Sequence, residues 1–340
     1  MLVAVCGNRH TDRVLRIHFT SDDLARTTVA NTHDPLWEVM FSSFRLRKAS
    51  RHPELLRWAE EVRNDRVRAL RLAPGARLLS VLAPKGTYIP DFLTPDASKE
   101  GLDAGLAAIM STPRERLRRE LARLALRSPV PDWIRPLSAG DVEFLARLTD
   151  ELRAYYDSVI APHHEHIQRG IDADIARRAP AMAEHGIEGL FKSMQDGARW
   201  RAPVLEVDYR VDKDLYLDGR GLRIVPSYFS RGTADSLADT ALPPVLVFPI
   251  AQDCRSTLLT AEHARRSLAA LLGATRAAVL LAVGSGATTT ELARGLSTSP
   301  ASVSRHTGVL RDAGLITTHR TGAAVVHSLT PLGASLLDSH

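Results

Sequence analysis

The chain has 340 residues, enough for about two or three domains with sizeable hydrophobic cores. A hydrophobic fraction of 44% and a charged fraction of 24% exclude a disordered or fibrous chain, and no apolar run is long enough to cross a membrane. The net charge of +5 allows a polyanionic partner. Cys6 and Cys254 are the only cysteines and lack the spacing of a metal or redox motif, so we expect a protein of the reducing cytoplasm.

The first part of the chain mixes strand and helix patterns. Residues 1–12 carry no pattern, and we expect them to form a disordered extension. Alternating apolar residues predict a strand at 14–19, and later short runs predict strands at 204–207, 214–217, 222–225 and 245–248. Trp37, Phe41 and Phe44 recur at helical spacing, which is typical of a helix packed into a core rather than of a ligand pocket.

An arginine-rich helix follows a proline-bracketed loop at 90–95. Its arginines are Arg114, Arg116, Arg118, Arg119 and Arg123. A run of this kind usually marks a solvated helix face, and the alternatives are a phosphate contact or a dimer surface. Prolines at 129, 131 and 136 then interrupt the pattern, so we expect a boundary between two lobes near 128–136.

A long amphipathic helix is predicted from Asp141, and Pro162 separates it from a second helical run. His163 and His166 follow this break and share a helix face, a spacing that zinc sites also use. Short histidine clusters on helices are usually only solvated, so we predict neither a metal site nor a cofactor. The sequence contains no nucleophile-elbow or zinc-protease motif, and we therefore expect no catalytic residue.

Two helix start signals lie close together near the C-terminus. Thr288 with Glu291 three residues later is a capping box, in which each residue bonds the backbone of the other. Ser299 followed by Pro300 is a hydroxyl cap with proline at the first helical position, and Gly314 supplies the C-cap of this second helix. Two short helices joined by a tight polar turn make a helix-turn-helix.

A hairpin is predicted directly after the second helix. Residues 315–319 and 325–329 have strand composition, and the turn at 320–323 contains a glycine. A hairpin in this position is a wing, so the whole unit is a winged helix-turn-helix. From His263 to the C-terminus, seven arginines oppose three acidic residues, and this net charge of +4 favours a nucleic-acid partner.

These residues resemble the DNA-binding domain of ArsR-type bacterial transcriptional regulators. The resemblance covers about Glu262 to Leu337 and rests on Glu-Leu-Ala at 291–293, Ser-x-x-x-Val-Ser-x-His at 299–306 and Leu-Arg-Asp-Ala-Gly-Leu at 310–315. The chain departs from the family at Thr307, where leucine is usual, and at Gly308, which costs a helix about 1 kcal/mol relative to alanine. Residues 90–95 and 219–229 resemble, more loosely, the long N-terminal region of some actinobacterial ArsR-like regulators.

The resemblance and the patterns together predict an α+β fold. A winged helix-turn-helix domain occupies 259–340, and a larger mixed α/β region, regulatory or effector-sensing, occupies 13–258. The resemblance also implies a homodimer, since ArsR-like domains pair through their outer helices. Those helices would be Ala264 to Leu272 and the one opened by Thr330-Pro331.

The side chains near the N-terminus of the second helix are those that enter the major groove in helix-turn-helix docking. We predict DNA contacts from Ser299, Ser302, Ser304, Arg305 and His306. Arginine can form hydrogen bonds to both O6 and N7 of guanine, and serine can form one to a base edge or to a phosphate. For His306 the alternative is that its side chain packs inward. Arg320, expected at the wing turn, is predicted to reach a phosphate or the minor groove, the alternative being an ordinary hairpin-tip arginine.

The sequence therefore predicts a cytoplasmic, sequence-specific DNA-binding transcriptional regulator, most simply a repressor. It would bind an inverted-repeat operator in double-stranded DNA as a homodimer, with affinity modulated through the N-terminal region by a small-molecule effector. Two alternatives come from other classes of protein. In the first alternative, the N-terminal region is a small-molecule-modifying enzyme fused to a DNA reader. In the second, the chain is a protein-interaction scaffold.

Overall fold

The computed structural model describes residues 13–47, 53–84, 88–194, 197–255, 268–284, 286–321 and 324–338. The chain divides into two compact units, Met1–Arg255 and Ser256–His340. The expected extension at 1–12 and the expected domain border at 258 lie outside the described residues. Over those residues the fold is α+β, as predicted, and none of their helices is long and apolar enough to cross a membrane.

Helices make up most of the first unit. In chain order they are α1 Ser21–Arg26, α2 Pro35–Arg47, α3 Pro53–Asn64, α4 Arg66–Leu82, α5 Leu102–Met110, α6 Arg114–Ala125, α7 Arg135–Ser138, α8 Val142–Val159 and α9 His164–Ser193. The break predicted at Pro162 separates α8 from α9. α9 itself bends at Gly186, whose φ of 59° and ψ of −145° are not helical.

The helical core is built around α2, which is buried from Pro35 to Phe44. Its aromatic stripe is core, as predicted, with the Trp37 and Phe41 rings 5.6 Å apart between centroids. The buried Glu38 carboxylate accepts hydrogen bonds from the backbone N–H groups of Tyr228 and Phe229, at 2.6 and 3.0 Å. These bonds tie α2 to a segment almost two hundred residues away along the chain.

The proline-rich stretch at 128–136 is not a boundary between two lobes, contrary to expectation. Ile134 and Leu137 are fully buried in the same hydrophobic core as α6 and α8. The prolines here begin short turns instead, since Pro131 directly precedes the 3-10 helix Asp132–Ile134. A proline before a helical turn costs no hydrogen bond, so it need not mark a linker.

The strands of the first unit form two four-stranded sheets. They are β1 Val14–His18, β2 Thr28–Val29, β3 Ala198–Arg201, β4 Val204–Asp208, β5 Lys213–Tyr216, β6 Arg223–Ser227, β7 Asp235–Ser236 and β8 Val245–Pro249. The sheet orders are β3-β4-β1-β5 and β2-β6-β8-β7. Strands β2, β6 and β8 run parallel, and β8 is buried on both faces, as parallel strands usually are. Each predicted strand is present to within about two residues at either end.

The second unit contains a winged helix-turn-helix. Its elements are α10 Ala274–Val283, β9 Ala287–Thr288, α11 Thr289–Gly295, α12 Pro300–Asp312, β10 Ile316–Thr321, β11 Ala324–Leu329 and α13 Pro331–Asp338. The sheet order is β10-β11-β9, so the two-residue strand β9, which the sequence patterns did not predict, holds the start of α11 against the hairpin. Apolar residues of α10, α11 and α12 form its separate core.

Candidate nucleic-acid interface

Both helices of the helix-turn-helix start at the predicted caps. The Thr288 hydroxyl accepts a hydrogen bond from the Glu291 N–H at 3.2 Å, and the Glu291 carboxylate accepts one from the Thr288 N–H at 2.8 Å. The hydrogen bonds that the Glu291 carboxylate accepts from the N–H and the hydroxyl of Thr288 lower the pKa of Glu291. The Ser299 hydroxyl accepts from the Ser302 N–H at 3.2 Å, with Pro300 in the first turn of α12. The two caps therefore fix where α11 and α12 begin.

α12 has one buried face and one face open to solvent. Val303, Thr307 and Leu310 are buried and attach the helix to α10 and α11. Ser304 and Arg305 are exposed on the opposite side. Predicted DNA-contact residues of this helix thus lie where a major groove could reach them, on a rigid support.

The remaining predicted contacts on α12 differ in their surroundings. Ser299 is exposed, and although its oxygen caps the helix, its hydroxyl hydrogen is left to donate to a phosphate. Ser302 and His306 are partly exposed. His306 is therefore not packed inward as a buried residue, the alternative considered for it.

Thr307 and Gly308 are the two departures from the ArsR-type pattern. Thr307 is buried, and its hydroxyl donates to the backbone oxygen of Ser304 at 3.1 Å, so the polar group is satisfied inside the core. Gly308 is partly exposed, and a Cβ added there would meet no atom within 4 Å. The helix therefore accommodates both residues without strain.

Arg320 lies in the wing, but not in its turn. It occupies β10, opposite Val325, because the strand continues to Thr321, and its side chain is exposed. The predicted turn residues Gly322 and Ala323 lie outside the described residues. Arg320 is thus a strand residue close to the tip of the hairpin.

His327 is a positioning residue that sequence reasoning missed. It is buried on β11, with Nε2 3.0 Å from the Thr289 hydroxyl and Nδ1 3.0 Å from the Thr318 hydroxyl. Burial, together with the positive charge of Arg311, lowers its pKa. The neutral ring therefore links the first turn of α11 to both wing strands. The only sequence signal was its alternate position in a predicted strand.

Unpaired positive charge remains on this unit. Arg294, at the end of α11, is exposed like Arg305 and Arg320, and none of the three forms an ion pair with a residue that the structure describes. Arg311 differs, since its guanidinium lies 3.3 Å from the Asp312 carboxylate. Free guanidinium groups are suited to phosphate and base edges. Arg294 was not among the predicted contacts.

The histidine pair of the first unit is separated by the start of α9. His163 ends the 3-10 helix Ala161–His163, whereas the Nε2 atom of His166 lies 2.9 Å from the Tyr228 hydroxyl. Within the described ranges, no group of three or more histidine, cysteine, aspartate or glutamate side chains is placed to hold a metal ion.

Comparison with known proteins identifies one part of the chain. Residues 271–319 match a family model described as a helix-turn-helix domain. No curated protein and no solved structure matches the chain. The match covers α10 to α12 and most of β10, which is the part whose geometry is that of a DNA reader. The second unit is therefore a helix-turn-helix domain of a DNA-binding regulator.

Proposed function

We propose that this protein is a sequence-specific transcriptional repressor of the ArsR type, with no catalytic activity. The observation that carries the proposal is the two-sided α12. Ser304 and Arg305 are exposed, while Val303 and Leu310 anchor the helix in a core. A recognition helix needs both a free polar face and a rigid base, and a winged helix-turn-helix supplies them.

In the proposed complex the N-terminal part of α12 enters the major groove. Arg305 bonds guanine O6 and N7, and Ser304 serves a base edge or a phosphate. Contacts that fix the position of the helix come from Ser299, Ser302, His306 and Arg320. The positive N-terminus of α12 adds to the attraction for a nearby phosphate.

The proposed repressor binds as a homodimer. Leu271 is 71% exposed and Leu332, on α13, is 60% exposed, and both positions fall within the two outer helices that the resemblance to ArsR-type regulators implies. Large apolar side chains at such exposure support a partner surface on these helices. A two-fold dimer places its recognition helices about 34–36 Å apart, so the operator is an inverted repeat.

The first unit is proposed to control DNA affinity. A ligand that binds the first unit more tightly in one conformation of the dimer shifts the population toward that conformation. This shift changes the spacing of the two recognition helices and so the affinity for DNA. The looser resemblance to long ArsR-like regulators supports this division of labour. The protein then acts in the cytoplasm, where a bacterial chromosome is reached directly.

Selection of DNA by the full-length protein tests the proposal. Duplexes with a randomised centre are incubated with the protein, and the bound fraction is amplified and sequenced over several rounds. We expect enrichment of one inverted repeat with half-sites about one helical turn apart. A direct repeat or a single half-site would contradict the dimer, and a bound pool without any shared motif would contradict sequence-specific regulation.

A further inference from the structure

A cavity of about 230 Å³ opens within the first unit. Chain segments that are distant in sequence meet there, namely the start of β1, α2, the end of α6, and the stretches 88–94, 209–213 and 235–238. A cavity walled by so many separate segments depends on the complete fold of the unit. It is the kind of place where small ligands bind.

The lining of this cavity carries an excess of positive charge. Among the described residues of the lining, four arginines and Lys213 oppose the two carboxylates of Asp91 and Asp235. Both carboxylates are already engaged, because Asp91 accepts the backbone N–H groups of Ala238 and Asp239 at 2.9 and 2.8 Å, and Asp235 lies 2.9 Å from Arg210. Burial also lowers the pKa of Lys213, whose ammonium group donates to the backbone oxygen of Leu237 at 2.8 Å. An anion in the cavity would relieve this imbalance.

The C-terminal end of α6 and the turn that follows it bring two of these charges to the cavity. Arg116 lies 2.7 Å from Glu120, and Arg119 lies 3.1 Å from Asp239. Arg123 and Arg127, in contrast, line the cavity and form no ion pair with any residue in the described part of the chain. Arg123 lies in the last turn of α6 and Arg127 in the turn after the helix, and both line the cavity, so an anion there can meet both guanidinium groups.

A buried hydroxyl and aromatic rings complete the lining. Thr94 is 3% exposed, and its hydroxyl has no hydrogen-bond partner among the described residues. A buried hydroxyl without a partner is destabilising, so a ligand oxygen within hydrogen-bond distance of it would be favoured. Trp37 and Tyr88 line the same cavity, and the Arg123 guanidinium lies 4.8 Å from the centre of the Tyr88 ring. The lining thus suits an anionic group attached to an apolar body.

We propose that this cavity binds a small organic acid, with its carboxylate or phosphate on Arg123 and Arg127 and its apolar body against Tyr88 and Trp37. The Thr94 hydroxyl donates to a ligand oxygen. Binding itself does not require the second unit, whereas the role of the acid as the effector rests on the proposed repressor function. Of the arginine run on α6, Arg123 lines this cavity, so on this proposal the run is more than a solvated helix face.

The test is calorimetric titration of the full-length protein with benzoate and phenyl phosphate, and with benzamide as an uncharged analogue. We expect saturable binding of at least one anion, at least tenfold tighter than benzamide, and the tighter anion identifies the acidic group. Arg123→Gln with Arg127→Gln should weaken that binding at least tenfold, and Thr94→Val several-fold. Arg118→Gln, an exposed arginine of the same helix outside the cavity, is the matched control and should leave binding unchanged.

Three results would overturn the anion site. They are equal binding of benzamide, no saturable binding of either anion up to about 10 mM, or full binding by the double variant. The benzamide comparison uses the unmodified protein, so it decides the question even if the variants do not fold. DNA affinity is then measured with and without the bound anion. If the anion binds but DNA affinity does not change, the anion site stands and its role as an effector site is rejected. If the protein binds the anion but no DNA, the proposed repressor function is rejected and the anion site stands.

Discussion

Arg305 is the residue on which operator specificity should depend most. Its side chain is exposed on a helix anchored by Val303 and Thr307. A bidentate arginine–guanine pair contributes about 1–3 kcal/mol of discrimination. Arg305→Ala should therefore weaken binding to the selected operator roughly 5- to 150-fold while binding to random DNA falls much less, as measured by fluorescence anisotropy of labelled duplexes.

Arg305→Lys is the matched control, because lysine keeps the charge but cannot form the two-bonded fork. It should retain affinity for random DNA and lose preference at one base pair. If Arg305→Ala weakens specific and random DNA equally, Arg305 contacts a phosphate and base reading lies elsewhere on α12.

His33 makes the first unit sensitive to acid. Burial, and secondarily the nearby His164, lowers the pKa of His33 from 6.5 to about 4. Between these values the unfolded chain binds a proton at His33 and the folded chain does not. The stability contributed by the neutral ring is therefore complete above pH 6.5 and is lost as the pH falls toward 4, by about 3 kcal/mol.

This loss can be measured by urea unfolding followed through tryptophan fluorescence. All four tryptophans, Trp37, Trp58, Trp133 and Trp200, belong to the first unit. His33→Gln should flatten the fall in unfolding free energy between pH 6.5 and 4.5 relative to the unmodified protein. Parallel pH profiles for the two proteins would show that His33 titrates normally in the folded chain.

The role of a single residue could be predicted from the sequence where the residue bonds only within its own helix. Thr288, Glu291 and Ser299 were identified as caps because a cap needs only its own helix, and the structure has each bond. His327 was missed because its partners, Thr289 and Thr318, are brought to it by strand pairing rather than by sequence proximity.

At the scale of elements, α12 contains an avoidable instability. A methyl group added at Gly308 would meet nothing within 4 Å, so Gly308→Ala should stabilise the helix by about 1 kcal/mol. Gly314→Ala should do the opposite, because Gly314 has a φ of +71°, which alanine disfavours. The second unit has no tryptophan, tyrosine or phenylalanine to report its unfolding, so amide hydrogen exchange of α12 is the suitable measurement.

No slowing of exchange in Gly308→Ala would mean that another interaction limits the stability of α12. The operator affinity of the same variant carries separate information. A large loss of affinity despite a more stable helix would place DNA against Gly308.

The wing should contribute charge rather than sequence reading. Arg320 is exposed near the hairpin tip, and a phosphate contact there releases counterions on binding. Arg320→Ala should weaken binding similarly on all sequences and flatten the slope of log K against log salt by about one per protomer. Arg118→Ala in the first unit is the control and should leave the slope unchanged. A changed A·T preference with an unchanged slope would instead make Arg320 a minor-groove reader.

Elements were predictable where a period is long or a cap is explicit. The helices α2, α8 and α12 and the strand β8 follow from their patterns. Strands β7 and β9 have two residues each, too few to show an alternation of apolar and polar residues. They are recognised only by their pairing with neighbouring strands. The apolar pattern of the first wing strand ends before Arg320, so Arg320 was expected in the turn. In the structure the strand continues past it.

At the scale of the whole molecule, sequence patterns miss how the first unit is assembled. Prolines suggested a division near 128–136, yet Ile134 and Leu137 there are buried in one core with α6 and α8. Long-range ties such as Glu38 to Tyr228, and the cavity beside Arg123, depend on tertiary packing that no local pattern encodes. The second unit was predictable because a winged helix-turn-helix is short and each of its signals is local.

Competition binding decides whether this molecule reads a DNA sequence. Full-length protein is titrated into the selected operator and into a scrambled duplex of the same length and composition, at one salt concentration. A specific regulator should prefer the operator by at least about 10³-fold. Equal affinity for the two duplexes, with the same salt dependence, would show that the winged unit binds DNA by charge alone and that the protein is not a sequence-specific regulator.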